Sequence, residues 1–249
     1  MIKVNDVLKF LSGLYPTYTA CDFDNVGLLI GDGDCETDKI LVCLDCDINA
    51  VNKANEIGCK LIITHHPVIF DGIKNVPCDS VVYKLIKSGI SVISMHTNLD
   101  VGKGGVNDQL CKILELKKVK KYKANDGYML NEGVTDISNA DELAKDIKRR
   151  LGGTVKYVVG SRPIKKVLVC SGSGGNYLTD AINGKFDALI TADVKHNIFM
   201  DALNYDFTLF DAGHYNTENI VIEPLCGLLS KKFKDVSFIP FLPDKIKNI

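Results

Sequence analysis

All five histidines of the chain fall in four short motifs, and each motif also carries carboxylates or small polar residues of the kind a metal centre uses. The motifs are Thr64-His65-His66-Pro67, His96-Thr97-Asn98-Leu99-Asp100, Asp193-Val194-Lys195-His196 and His214-Tyr215-Asn216-Thr217-Glu218. Histidines scattered by chance would leave one or two stray on surface helices, and none is left over. Imidazole and carboxylate together are the usual ligand set for a hydrolytic divalent cation. This mix suits Zn, Mn or Fe better than Ca or Mg.

The spacing within each motif narrows the chemistry. Adjacent His65 and His66 would point to opposite sides of an extended strand. At a strand end that turns through Pro67, both can splay towards two neighbouring cations. The His-x3-Asp/Glu spacing of His96 with Asp100 and of His214 with Glu218 brings two donors onto one side of a helical turn. Alone that spacing is weak, but it occurs here at equivalent points of two repeats. Asp193-x-Lys195-His196 stands where the repeat would put His65-His66 but keeps only part of the donors. Orienting a ligand or moving a proton therefore suits His196 and Lys195 better than direct ligation. Plainer alternatives stay open at this level: packed structural histidines, Asp100 as a helix cap, Lys195 and His196 as surface residues. Gly102-Lys-Gly-Gly105 and Ser171-Gly-Ser-Gly-Gly175 are either tight turns or phosphate cradles, and neither has a full nucleotide-binding fingerprint. Cys43-x-x-Cys46 has the spacing of a redox pair but sits at a strand end rather than a helix start.

These motifs are positioned by a chain that repeats itself. Lys39-Ile-Leu-Val-Cys43 aligns with Lys166-Val-Leu-Val-Cys170, and the same offset superposes Leu61-Ile-Ile-Thr64 on Ala188-Leu-Ile-Thr191 without a gap. With small gaps, His96-x3-Asp100 matches His214-x3-Glu218, and Gly27–Gly31 matches Lys156–Gly160. Short apolar β-rich runs alternate with helical patterns such as 47–57 and 80–88, ended by Gly58 and Gly89. This alternation predicts two related α/β modules with mainly parallel sheets, arising from an internal duplication. The modules are expected at 1–123 and 124–249, with the boundary approximate and elements free to interlock. Ligands of open α/β sheets bind beyond the carboxyl ends of strands, and all four motifs follow strands. One metal site shared between the modules is the economical expectation.

Composition bounds the rest. The chain has 249 residues, is 46% apolar and carries a formal net charge of −1, which gives no reason to expect a nucleic-acid or anionic-membrane surface. Lys117–Lys123, alternating with Val and Tyr, reads as the outer face of a strand. Nine cysteines at irregular spacing suggest buried reduced thiols in a cytoplasmic protein. Residues 1–14 read as an amphipathic helix rather than a signal peptide, and no apolar run reaches membrane-spanning length.

Six segments carry a family resemblance. Asp22-Phe-Asp-Asn-Val-Gly-Leu28, Ile63-Thr-His-His-Pro67, His96-Thr-Asn-Leu-Asp100, Gly104-Gly-Val-Asn-Asp108, Thr191-Ala-Asp-Val-Lys-His196 and Asp211-Ala-Gly-His-Tyr-Asn-Thr-Glu218 resemble the NIF3-like (YbgI) family, also labelled GTP cyclohydrolase 1 type 2 homologs. The resemblance spans residues 22 to 218 and corresponds to the short form of the family. It implies the NIF3-like fold of two similar α/β domains, two divalent metal ions between them and a toroidal homohexamer. Carried over by motif, the ligands are His65, His66, Asp100, His214 and Glu218, with Glu218 bridging and His96 lining the site. At Asp193 the family more often has Gly-Glu across the Ala192-Asp193 pair. The expected function is hydrolysis, with His96 or His196 as proton shuttle, on a purine nucleotide or related heterocycle, GTP ring opening being the specific version. The competing expectation is a non-enzymatic metal-binding scaffold or regulatory protein.

Overall fold

The computed structural model describes residues 1–243; residues 244–249 of the expected second module lie outside the described residues. In chain order the elements begin with β1 (Ile2–Lys3), α1 (Val4–Leu14), β2 (Gly27–Ile30), β3 (Glu36–Thr37), β4 (Lys39–Cys43), α2 (Ile48–Glu56), β5 (Leu61–Thr64), α3 (Val81–Ser88), β6 (Ser91–Ser94) and α4 (Thr97–Val101). They continue with α5 (Val106–Ile113), β7 (Lys117–Lys123), β8 (Met129–Val134), α6 (Ala140–Leu151), β9 (Lys156–Val158), β10 (Lys166–Ser173), α7 (Leu178–Asn183), β11 (Ala188–Ala192), α8 (His196–Asn204), β12 (Thr208–Asp211) and α9 (His214–Glu218). The last two are α10 (Ile222–Lys232) and β13 (Ser237–Phe241).

Local sequence explains several of the helix ends. Asp47, Ser80 and Asn139 cap α2, α3 and α6 by accepting the amides of Ala50, Tyr83 and Glu142. Gly89 closes α3 in the left-handed conformation. α1 buries Val4, Val7 and Leu11, a one-sided helical stripe.

The chain divides into two compact units, Met1–Lys103 with residues 221–243, and Gly104–Ile220. The cut expected between 123 and 124 falls instead inside the second unit, between β7 and β8, which pair as antiparallel neighbours. α5 belongs to that unit too, because Leu110, Cys111 and Leu114 pack into its core with α6 and β10. The closing elements return to the first unit because β13 pairs in parallel with β4.

The first unit holds a five-stranded sheet in the order β13-β4-β5-β6-β2, parallel except for the antiparallel edge strand β2. Every residue of β5 and β6 is buried, as expected of interior parallel strands covered on both faces. Leu41, Cys43, Ile62 and Val92 share one core with Ala50, Val51 and Ala54 of α2 and Leu85 of α3. The second unit holds a six-stranded sheet, β7-β8-β10-β11-β12-β9, whose parallel heart is β10-β11-β12. Val167, Val169 and Ile190 face a core with α5 and α6, while Leu168, Cys170 and Leu189 face the opposite core with α7 and α8. That is the two-residue period of a strand with helices on either side.

The repeat read from sequence is reproduced in strand register. Ile40 pairs with Leu61 in the first sheet, and Val167 pairs with Ala188 in the second, so repeated positions pair identically. Each parallel triad also carries one antiparallel edge strand, β2 on β6 and β9 on β12. Lys117–Lys123 is the edge strand β7 with its lysines largely exposed, an arrangement that discourages edge-to-edge pairing. The nine cysteines are all free, and among the described residues no helix is long and apolar enough to cross a membrane.

Candidate metal centre

In the first unit the donors sit where the parallel ladder runs past the ends of its strands. The amides of His65 and His66 donate to Cys43 O (3.2 Å) and Leu44 O (3.0 Å), continuing the β4–β5 pairing beyond Thr64. Thr64 and Ser94 close the neighbouring strand ends with a hydroxyl–hydroxyl bond of 2.7 Å. His65 is buried and His66 partly exposed. His96 occupies the cap position of α4 and Asp100 lies within it, so Asp100 is not the helix cap. His65 Nε2 stands 3.5 Å from Asp100 Oδ1. His65, His66 and His96 each present a ring nitrogen within 4.8 Å of the others. Their ring centroids are 5.0 to 5.5 Å apart.

All three rings are held at the other nitrogen. His65 Nδ1 meets Met95 O at 2.9 Å, His66 Nδ1 meets Asp45 Oδ1 at 2.7 Å, and His96 Nδ1 meets Asp24 Oδ1 at 2.8 Å. An acceptor on Nδ1 fixes the tautomer and leaves Nε2 as the lone-pair nitrogen, an arrangement also found around metal-bound histidines. Asp24 also accepts the Thr97 hydroxyl at 2.5 Å and the Thr97 amide at 3.0 Å. Burial works against the Asp24 charge, but the hydrogen bonds from His96 and Thr97 outweigh it and hold the carboxyl down at about 2.

In the second unit His214 opens α9 and Glu218 ends it, so the four-residue spacing puts both on one side of a single turn. His214 Nε2 lies 2.9 Å from Glu218 Oε2, and its Nδ1 meets Asp193 Oδ2 at 2.7 Å. Asp193 has φ +50°, a left-handed conformation that costs energy in a residue with a Cβ. Asp211, at the end of β12, fixes the two loops by accepting the amides of Val194 (3.0 Å) and Gly213 (3.1 Å). Glu218 is buried against the end of β10, where the pairing with β11 becomes irregular. A Cβ on Gly172, where φ is +60°, would stand 2.0 Å from Glu218 Oε1. The glycine-rich Ser171–Gly175 segment thus begins inside β10, at an irregularity where Gly172 leaves room for the Glu218 carboxylate, and a buried carboxylate beside it disfavours phosphate there. Thr217 Oγ1 accepts the Gly172 amide (3.1 Å), and Asn107 Oδ1 accepts the Ser171 amide (2.8 Å).

Each unit thus assembles its predicted donors, apart from His196. His196 opens α8, is exposed, and joins no donor cluster among the described residues; Lys195 beside it is exposed as well. Asp24 and Asp45, which orient His96 and His66, went unassigned in the sequence. Their signal was available: Asp45 directly follows β4, and Asp24 lies in the Asp22–Leu28 motif. Cys43 and Cys46 lie beside Asp45, and burial pushes the first thiol well above its usual range and the second up to about 12. Neither has the thiolate character of a redox pair.

Parallel strands that end in imidazoles and carboxylates, with a further acceptor on the ring nitrogens, define a class of α/β protein with candidate metal-binding clusters. The chain belongs to the Duf34/NIF3 (NGG1p interacting factor 3) family, whose model matches residues 2–244. It is 31% identical over 258 residues to a GTP cyclohydrolase 1 type 2 homolog of Clostridium perfringens, across 96% of this chain and 95% of that protein. A Staphylococcus aureus hypothetical protein of known structure is similar with a TM-score of 0.90 and 30% identity, over 99% of both chains. A Bacillus cereus protein related to NIF3 matches with a TM-score of 0.90 at 18% identity, over 100% of this chain and 99% of that one, which speaks for the fold alone.

Proposed function

We propose that this chain is a dinuclear metal-dependent hydrolase, with His65, His66 and Asp100 of the first unit and His214 and Glu218 of the second as ligands to two divalent cations, zinc, iron or manganese. The observation that carries the reading is the acceptor on Nδ1 of each ligand imidazole: Met95 O, Asp45 and Asp193. A structural histidine needs no such uniform preparation of Nε2. His214 and Glu218 alone are two donors, short of the three or four protein ligands usual at such an ion, so the reading draws on both units. Glu218, buried beside His214, would be among the carboxylates that hold the cations.

Bound divalent ions supply Lewis acidity and make water acidic enough to yield hydroxide near neutral pH. The chain's own part is to orient and to move protons. What favours His96 over His196 as proton carrier is the Asp24 carboxylate on its Nδ1, which orients the ring beside the other imidazoles. The relatives' name points to a purine nucleotide or a related heterocycle, with GTP ring opening as the specific version. A toroidal homohexamer in the cytoplasm completes the proposal.

The test is Glu218→Gln assayed on a panel of nucleotides and phosphoesters. A hydrolase loses metal-dependent turnover while fold and assembly persist. Absence of any metal-dependent turnover in the unaltered protein would make it a metal-binding scaffold instead.

A further inference from the structure

Among the largest apolar side chains left in water are two phenylalanines in the unit that carries the three clustered imidazoles. Phe23 is 65% exposed and Phe70 46%. Their ring centroids are 6.1 Å apart with planes inclined by 41°, and Phe70 meets the His96 ring edge-on at 6.1 Å.

The pair is held in place rather than left loose. The next residue after Phe23, Asp24, is fixed by His96 and Thr97. Asn25 then donates through Nδ2 to Ile69 O at 2.7 Å, tying the Phe23 loop to the residue preceding Phe70. Phe70 itself lies four residues beyond His66, in a long exposed loop of the kind that carries function more often than packing. One loop thus follows His66 and the other holds His96 through Asp24, while both leave a phenylalanine face exposed.

Exposed rings gain little for the fold, and an apolar face beside a few fixed polar groups is the usual composition of a small-molecule site. Two aromatic faces next to an imidazole favour a flat π-system over an acyclic or purely sugar-like ligand. We propose that Phe23 and Phe70 form a shelf that receives the face of a planar heteroaromatic ring, setting the substrate class beside His96. The assignment rests on the metal-dependent reading above for what happens to the ring, but not for the binding itself.

Because the chain lacks tryptophan, calorimetry is the direct readout. The zinc-loaded full chain is titrated with guanosine and with ribose, and the titrations are repeated on Phe23→Leu and Phe70→Leu, which keep apolar bulk but remove the ring. The shelf requires guanosine to bind at least tenfold more tightly than ribose. Each leucine variant should weaken guanosine roughly tenfold, the scale of one lost base–aromatic stack, with zinc content unchanged. Equal binding of guanosine and ribose overturns the shelf. So do leucine variants that keep full guanosine affinity, including any that change assembly mass instead, since the face is then a contact between copies. A chain that takes up no zinc yet prefers guanosine through both phenylalanines refutes the metal reading and leaves the shelf standing.

Discussion

The turns after β5 and β11 occupy equivalent places in the two sheets, yet they handle donors differently. After β5 the chain offers His65 and His66 directly, with acceptors supplied by Met95 and Asp45. After β11 it offers Asp193, which acts as the acceptor for His214 on the next loop. The His-x3-acid motifs diverge as well. His214 and Glu218 face each other within their turn, whereas the close partner of Asp100 is His65 rather than His96. What stays constant is the treatment of Nδ1, which meets a carboxylate or carbonyl oxygen in every case. Two sheets with matching strand register thus place their imidazoles and carboxylates at equivalent ends while differing in which residue is oriented and which does the orienting.

The comparison breaks most sharply at Gly172. Gly172→Ala adds a Cβ against buried Glu218 and forces a left-handed alanine, costing about 3 kcal/mol by urea unfolding from overpacking and backbone strain together. Gly58→Ala also requires a left-handed alanine, at φ +71°, but meets nothing within 4 Å. It should cost only about 1 kcal/mol, so equal losses would remove the close fit of Gly172 against Glu218 from the account.

Asp45→Asn and Asp193→Asn ask whether the two units orient their histidines for the same purpose. Each should weaken zinc or manganese affinity by about 10- to 100-fold in a chelator competition, with little change in stability. A response to Asp45→Asn alone would make the left-handed Asp193 a purely structural residue.

Asp24 supplies a pH test. Its carboxyl is held at about 2 in the folded chain, below its ordinary value, so the ionised form stabilises the fold. That contribution is present above about pH 4 and lost as pH falls towards 2. Unfolding free energies measured across this window should fall more steeply for the unaltered chain than for Asp24→Asn. The smallest effect concerns sulfur. At neutral pH, iodoacetamide should modify exposed Cys78 well before Cys43 or Cys46, and no disulfide should form between the latter two.

Much of this was legible in the chain because it is written locally. Apolar runs such as Leu61–Thr64 announce interior strands, Asp47 and Ser80 announce helix starts, and the histidine motifs directly follow the strands that present them. Three features were not local. The pairing of β13 with β4 joins residues far apart in sequence, so no window around either reveals that the chain returns to its first unit. The orienting carboxylates Asp24 and Asp45 act across loops, on His96 and His66, and an aspartate in a loop has no signature that separates this role from solvation. Asp193 adopts a left-handed conformation that its residue type tolerates but does not announce, held there by His214 and by Asp211 on the adjoining Val194 amide.

Metal stoichiometry tests the central claim most directly. Elemental analysis of the gently purified chain, alongside His66→Ala and His214→Ala, is predicted to give about two zinc, iron or manganese ions per chain and fewer in both variants. An unaltered chain that holds no such ion and takes none up on titration, or a His214→Ala protein that keeps the full complement, would contradict the account.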